Sequence, residues 1–363
     1  MIVQETLQLV GYPVDYLVVD FESYHDAKYS LNKMSIIEYV RDKRFELLGC
    51  GIYSSIDGNR RYIPPNGLEI IKNIAYKEVV IVVKNAKFDV LILQEIFGIV
   101  PPYVIDIEDL SRHLDSRDKH SLKHLAKKHG VGLKGCTEDF KNLHWDSMTP
   151  KQRQALEEYC LNDIELEHQL FELLFPQLTN PALEIPLMRH TLDIYLTPRI
   201  VFDFVKADEL IEAMYKELWS VVDKTGEVER GISGNISFQK LLQAALGDEK
   251  IPIKRGKREN IPALAQGDEG RKKMLEHPNE QVRLLMEARI AVRSWPLHIK
   301  RVRSLIAQAK AWGGKLGVPL KYYGGHTGRW SGTGGINLQN LGGKGRGKAI
   351  HPLIAAVRGL LKA

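Results

Sequence analysis

No Asp or Glu follows Glu287 in this 363-residue chain. The last part of the sequence therefore has no carboxylate with which to hold a divalent cation. Cysteine is scarce too. Cys50, Cys136 and Cys160 are widely spaced and fit neither a disulfide framework nor a zinc pattern, so they read as reduced thiols. No apolar run approaches the ~18 residues of a membrane span, and no membrane contact is expected. The N-terminus, Met1-Ile2-Val3-Gln4-Glu5, has no basic region followed by an apolar core, which speaks against export and for a cytoplasmic protein. What remains, 44% apolar and 26% charged, is the composition of a globular chain long enough for two cores.

The net charge of +6 conceals an asymmetry. From Ile251 to Ala363 there are 22 basic and 6 acidic residues, which leaves the preceding 250 residues with 29 basic and 39 acidic. A basic half of this size is an electrostatic footprint for a phosphate backbone, whereas an acidic half suits cation binding. Strand and helix signals alternate in the first half, with strands near 15–21, 46–54, 60–63 and 79–83. Helices are expected near 67–75, 88–97, 106–114, 120–129 and 150–174, so the fold class is an α/β layer, a sheet flanked by helices. Pro176 to Pro181 breaks the pattern and sets a boundary between about Phe175 and Pro186. Beyond it the signals are helical, at 182–196, 206–224, 237–246, 270–276 and 278–310. Lys254-Arg255-Gly256-Lys257-Arg258 reads as an exposed loop within reach of a phosphate.

Three short segments carry acids. Asp20 and Glu22 follow the strand-like Tyr16-Leu17-Val18-Val19, and their i, i+2 spacing puts both side chains on one face. Asp89 follows Val79-Val80-Ile81-Val82-Val83 at a helix start, where the dipole favours an acid with or without a metal. Asp163 lies on the 150–174 helix, begun by the N-cap Thr149 and Pro150, and shares a face with Tyr159 at i, i+4. Singly, each segment reads more simply as a strand end, a capped helix and an amphipathic helix. Together they supply hard oxygen ligands of the kind that two Mg²⁺ ions need to cut a phosphodiester.

In type and order these residues resemble the three exonuclease motifs of the DEDD superfamily, in its tyrosine-containing branch. The resemblance implies a ribonuclease-H-like fold for residues 1–180. It implies that Asp20, Glu22, Asp89 and Asp163 bind two Mg²⁺ ions (Mn²⁺ substituting), that Tyr159 positions the attacking water, and that Asn85 and Phe88 touch the DNA. Ser23 stands where Thr is common and keeps the hydroxyl. The expected reaction is hydrolysis of the terminal phosphodiester at a single-stranded DNA 3′ end.

A second segment, Thr327-Gly328-Arg329-Trp330-Ser331 followed by Asn337-Leu338-Gln339-Asn340-Leu341, is by itself a glycine-rich polar loop. It resembles the start of the palm in family A DNA polymerases, especially bacteriophage-type ones. The resemblance implies a mainly helical thumb over residues 181–321 and an incomplete palm over 322–363. Arg329, Gln339 and Asn340 are then primer–template contacts, joined by Arg289, Arg293 and Lys300 on the long basic helix. The catalytic acids of a palm and its fingers helix are not in the sequence. The expectation is a proofreading-type exonuclease with no synthesis of its own, part of a split or truncated polymerase, with a separate chain bearing palm and fingers as partner. The alternative is a primer–template clamp with weak or no nuclease activity; an RNA-processing nuclease would share the same metal site. The glycine run Gly342 to Gly347 is expected to leave the terminal segment mobile.

Overall fold

The computed structural model describes residues 2–341 and 351–362, and the Gly342 to Gly347 run lies outside them. The chain packs as two compact units, one of Met1–Val201 with Ala307–Gln339, the other of Phe202–Ile306 with Asn340–Lys362.

The first unit begins with α1 (Val3–Leu9), β1 (Tyr16–Ser23), α2 (Ile36–Val40), β2 (Leu47–Ser54) and β3 (Asn59–Ile63). It continues through β4 (Val80–Val83), α3 (Ala86–Phe97), β5 (Val104–Asp106), α4 (Ile107–Leu114), α5 (Leu122–His129), α6 (Pro150–Leu174) and α7 (Pro181–Leu196). Its five strands run in the order β3-β2-β1-β4-β5. β1 is antiparallel to β2 and parallel to β4, so the sheet is mixed, as the alternating pattern implied. The residue periods place β1 at the centre: Val18 at 0% exposure joins the core with Val80, Val82, Ile164 and Phe171, while Leu17, Val19 and Phe21 join that of Val90 and Leu91.

α6 spans the expected 150–174 and starts as the sequence implied. Thr149 accepts from the Gln152 amide and the Gln152 side chain accepts from the Thr149 amide, closing a capping box. Its seat on the sheet depends on Gly51, paired with Asp20 across the β1–β2 ladder. A Cβ there would stand 2.5 Å from Ile164 Cγ1 and 2.8 Å from Cys160 Sγ, both on α6. The missing side chain lets the helix approach the strand that carries the acids.

Three expectations need correction. The 67–75 segment is a 3₁₀ helix at Pro65–Asn73, because Pro64-Pro65 and Gly67 disfavour a regular α-turn there. The basic loop at 254–258 is one arm and the turn of a hairpin, Ile253–Arg255 paired with Asn260–Pro262. The start of the terminal segment is anchored: Tyr322 is 2% exposed, donates to Glu184 and lies 3.0 Å from His113 Nδ1, while Trp330 Nε1 donates to Thr191 at 2.8 Å.

The second unit is mainly helical: Phe204–Asp223, Glu229–Ser233, Asn235–Leu246, Glu269–Leu275 and most of the long helix Glu280–Ala311. Ala207, Leu210, Met214 and Leu218 keep the i, i+3, i+4 stripe that buries the first of these. No helix among the described residues is long and apolar enough to cross a membrane.

Candidate metal centre

β1 delivers Asp20 and Glu22 to one face, and α6 lays Asp163 over it. One carboxylate oxygen from each lies within 4.8 Å of the others. Asp89 is not in that trio. It stands in the first turn of α3, and one of its oxygens accepts from the Phe21 amide at 3.2 Å, between Asp20 and Glu22 along β1. Of the four acids named from sequence, the fold thus gathers three at one point and ties the fourth to the strand between them.

Crowding three acids is electrostatically unfavourable, and the ionisations record it. Desolvation, then the Asp20 charge, pushes the Glu22 carboxyl up to about 8. Burial raises Asp20, opposed by Lys134 and Lys84. Burial and then Asp20 hold Asp89 well above the usual carboxylate range. Desolvation and the Glu22 and Asp20 charges raise Tyr159, which keeps its phenol protonated. Glu167, one turn on from Asp163 along α6, is 2% exposed, and burial, then the charges of Asp20 and Asp89, raises its carboxyl well above the usual range.

Sequence reasoning missed Lys134, in the loop after α5. Its Nζ donates to the Tyr159 hydroxyl at 2.6 Å and to one carboxylate oxygen of Asp163. The other Asp163 oxygen is buried without a hydrogen-bond partner. Asp106 was missed as well. At the end of β5 it accepts from the amides of Asn85 (2.9 Å), Ala86 (2.8 Å) and Glu108 (2.8 Å). Asn85 has a left-handed backbone, φ 77, so Asp106 holds the tight turn from which α3 and Asp89 emerge. The Asn-Ala-Lys-Phe-Asp segment was the available signal for this turn. Nothing in local sequence pairs it with residue 106.

Beside Glu22 lies a cavity of about 250 Å³, lined in part by Leu31, Tyr39, Phe88 and Phe140. Phe88 thus shares this cavity with Glu22, whereas Asn85 contributes its backbone to the turn. In the helical unit, the partly buried Arg289 donates to the backbone carbonyls of Ile232 and Gly234, the latter at 3.0 Å, and to Asn235 Oδ1 at 2.6 Å. Burial lowers its ionisation to about 10. Arg293 is exposed and donates to the same Asn235 oxygen. Lys300 is exposed beside Tyr215, Trp219 and Arg303. Arg329 and Gln339 are exposed, and Asn340 is half-buried in the turn Leu338–Asn340.

Residues 14–179 match the 3′-5′ exonuclease family model of A-type DNA polymerases. The matched exonuclease-type segment contains the whole carboxylate cluster, Tyr159 and Lys134. Over 99% of its length the chain is similar in fold to the POL domain of Pol1 from M. smegmatis, solved with DNA primer-template and dNTP, at a TM-score of 0.58 and 15% identity. It spans 56% of the length of that polymerase chain. Brucella melitensis NrnC with bound Mg²⁺ is similar over 44% of this chain and 72% of its own, at 20% identity and a TM-score of 0.33. No curated protein matches the chain.

Proposed function

We propose that this chain is a metal-dependent 3′-5′ DNA exonuclease of the proofreading type. The observation that carries the reading is the convergence of Asp20, Glu22 and Asp163 within 4.8 Å, inside a segment matching the exonuclease family. The donor set fits Mg²⁺ or Mn²⁺: the donors are all carboxylate oxygens, and one buried Asp163 oxygen lacks a hydrogen-bond partner. Asp20, Glu22 and Asp163 would hold the ions, with Asp89 fixed alongside. Bound there, divalent ions supply acidification of a water at neutral pH and stabilisation of the charge on the leaving oxygen.

The chain's own residues do the rest. Tyr159, kept protonated by its surroundings, orients the attacking water by hydrogen bonding and is not a base. The cavity beside Glu22 takes the 3′-terminal nucleoside, with Phe88 and Phe140 offering apolar faces to the base. Asn85 is assigned to the turn beneath this contact. In the helical unit, Lys300 with Trp219 and Tyr215 is the exposed basic and aromatic group suited to primer–template, with Arg329, Gln339 and Asn340 as polar contacts from the palm-like segment.

The test is release of nucleotides from a 3′-labelled single strand in Mg²⁺, beside a chelator control and Asp20→Ala. The expected result is digestion in the wild type, lost with chelator and reduced more than about a hundredfold in the variant. Undiminished digestion by Asp20→Ala, or digestion in chelator, would overturn the assignment. An RNA strand of the same sequence measures the sugar preference.

A further inference from the structure

Lys134 is placed with unusual definition for a loop residue. Asn162 on α6 donates to the Leu133 carbonyl at 3.1 Å, which pins the backbone one residue before it. Gly135, one residue after it, lies so close to α6 that a Cβ would meet Tyr159 Cδ2 at 2.8 Å. Between these two anchors the ammonium lies 4.8 Å from the centre of the Tyr159 ring and bonds both the Tyr159 hydroxyl and Asp163. Asp163 is 1% exposed, so its charge has little water to stabilise it.

Asp163, buried and ion-paired, needs a counter-charge whether or not a metal is bound. A divalent ion on the same oxygens does what the ammonium does, with twice the charge. Two cations at one cluster repel each other, so each weakens the binding of the other by the same factor. The free Asp163 oxygen gives an incoming ion a point of attachment while the lysine still holds the other.

We propose that Lys134 is the resident counter-cation of the carboxylate cluster, holding Asp163 and Tyr159 in place without metal and opposing metal binding in return. The inference rests on the reading of the cluster as a metal site. It assigns Lys134 a positioning role: the lysine keeps the metal-free site assembled and keeps its ions exchangeable.

Lys134→Met keeps the length of the side chain and removes the charge. Two measurements are made on the full chain: the melting temperature in chelator, and Mn²⁺ affinity by calorimetry, with Asp20→Ala as the control for binding at this site. The variant should melt lower than the wild type in chelator and bind Mn²⁺ about fivefold or more tightly. Lys134→Arg, which retains the charge, should bind Mn²⁺ as the wild type does. A lysine that serves packing alone would lower the melting temperature with and without Mn²⁺ alike and leave affinity unchanged; that result overturns the proposal. Should Lys134→Met not fold, Lys134→Gln carries the same expectation. If the wild type shows no Mn²⁺ binding that depends on Asp20, the metal reading itself fails. If the wild type binds and the lysine variants bind no more tightly, this inference alone fails.

Discussion

In the carboxylate cluster, Asp20, Glu22 and Asp163 stand with carboxylate oxygens within 4.8 Å of one another, and the Glu22 carboxyl is pushed up to about 8. On the long helix Glu280–Ala311 the most constrained cation, Arg289, is satisfied by the carbonyls of Ile232 and Gly234 and by Asn235. Each is a cluster of like charge on regular secondary structure, but they are treated in opposite ways. The arginine donates to three oxygens of its own unit and stabilises its own fold. The acids are held together against their repulsion, and a buried oxygen of Asp163 is left open. Like charges kept close and incompletely paired are what the proposed metal site requires, whereas charges paired within the fold serve architecture.

The sharpest way to break this contrast is to remove one member of the acidic trio. Asp163→Ala should lower metal-dependent 3′-end digestion by more than about a hundredfold, and in chelator it should lose no more stability than Lys134→Met, since the same ion pair is broken while a repulsive charge leaves with it. A large fall in melting temperature would place Asp163 with the architectural charges. The next effect in size lies at the turn from which α3 starts. Asp106→Ala strips acceptors from three backbone amides, two of them in the Asn85 turn, and should cost about 2–3 kcal/mol in chemical denaturation. Digestion should fall with it, since α3 carries Asp89. Unchanged stability would show that the turn holds without its clamp.

On the basic side the expected order is reversed. Arg289→Ala should cost about 1–2 kcal/mol and leave the salt dependence of duplex binding as it was. Lys300→Ala should leave stability unchanged and reduce the salt slope by about one ion. If Arg289→Ala instead changes the slope and not the stability, the two regions are alike after all.

The same contrast explains what could be read in advance. β1 and α6 are marked by apolar patterns and by acids or Thr149-Pro150 at their ends, and β4 by an unbroken run of β-branched residues, so strand and helix were legible there. β5 is three residues, Val104–Asp106, just after Pro101-Pro102. It is too short for any period to show, and with it the role of Asp106 was hidden. Lys134 sits in a loop whose only local signals are glycines. Its partners lie 25 and 29 residues away, and contacts of that kind come from packing. The basic face of the long helix was visible, but periodicity does not tell a solvated arginine from one that bonds a neighbouring carbonyl. Gly51 could have been suspected, since with Gly49 it stands at i, i+2 in a strand otherwise mostly apolar, and glycine in a strand marks close approach. Gly135 is the matching case in the loop. Gly135→Ala would press on the Tyr159 ring at 2.8 Å and should lower turnover by up to about tenfold, because small displacements at a reacting centre are expensive, with a melting temperature close to that of the wild type.

The smallest expected effect tests the acidic cluster without any substrate. Glu22 binds its proton more tightly in the folded protein, with a value near 8, than an ordinary glutamate at 4.5. Between those values the folded state holds a proton that the unfolded state has released. Stability from this group is therefore complete below 4.5 and is lost as pH rises through about 8. Histidines and other acids titrate in the same range, so the wild type alone does not isolate it. The difference between wild type and Glu22→Gln does. In chelator, the wild type should lose stability relative to the variant as pH is raised from 5 to 8, and saturating Mn²⁺ should remove that difference in slope for the wild type by holding Glu22 ionised in the folded state. Parallel stability curves for the two proteins in chelator would mean that Glu22 carries an ordinary ionisation, and the crowding that separates the carboxylate cluster from the basic helix would lose its thermodynamic signature.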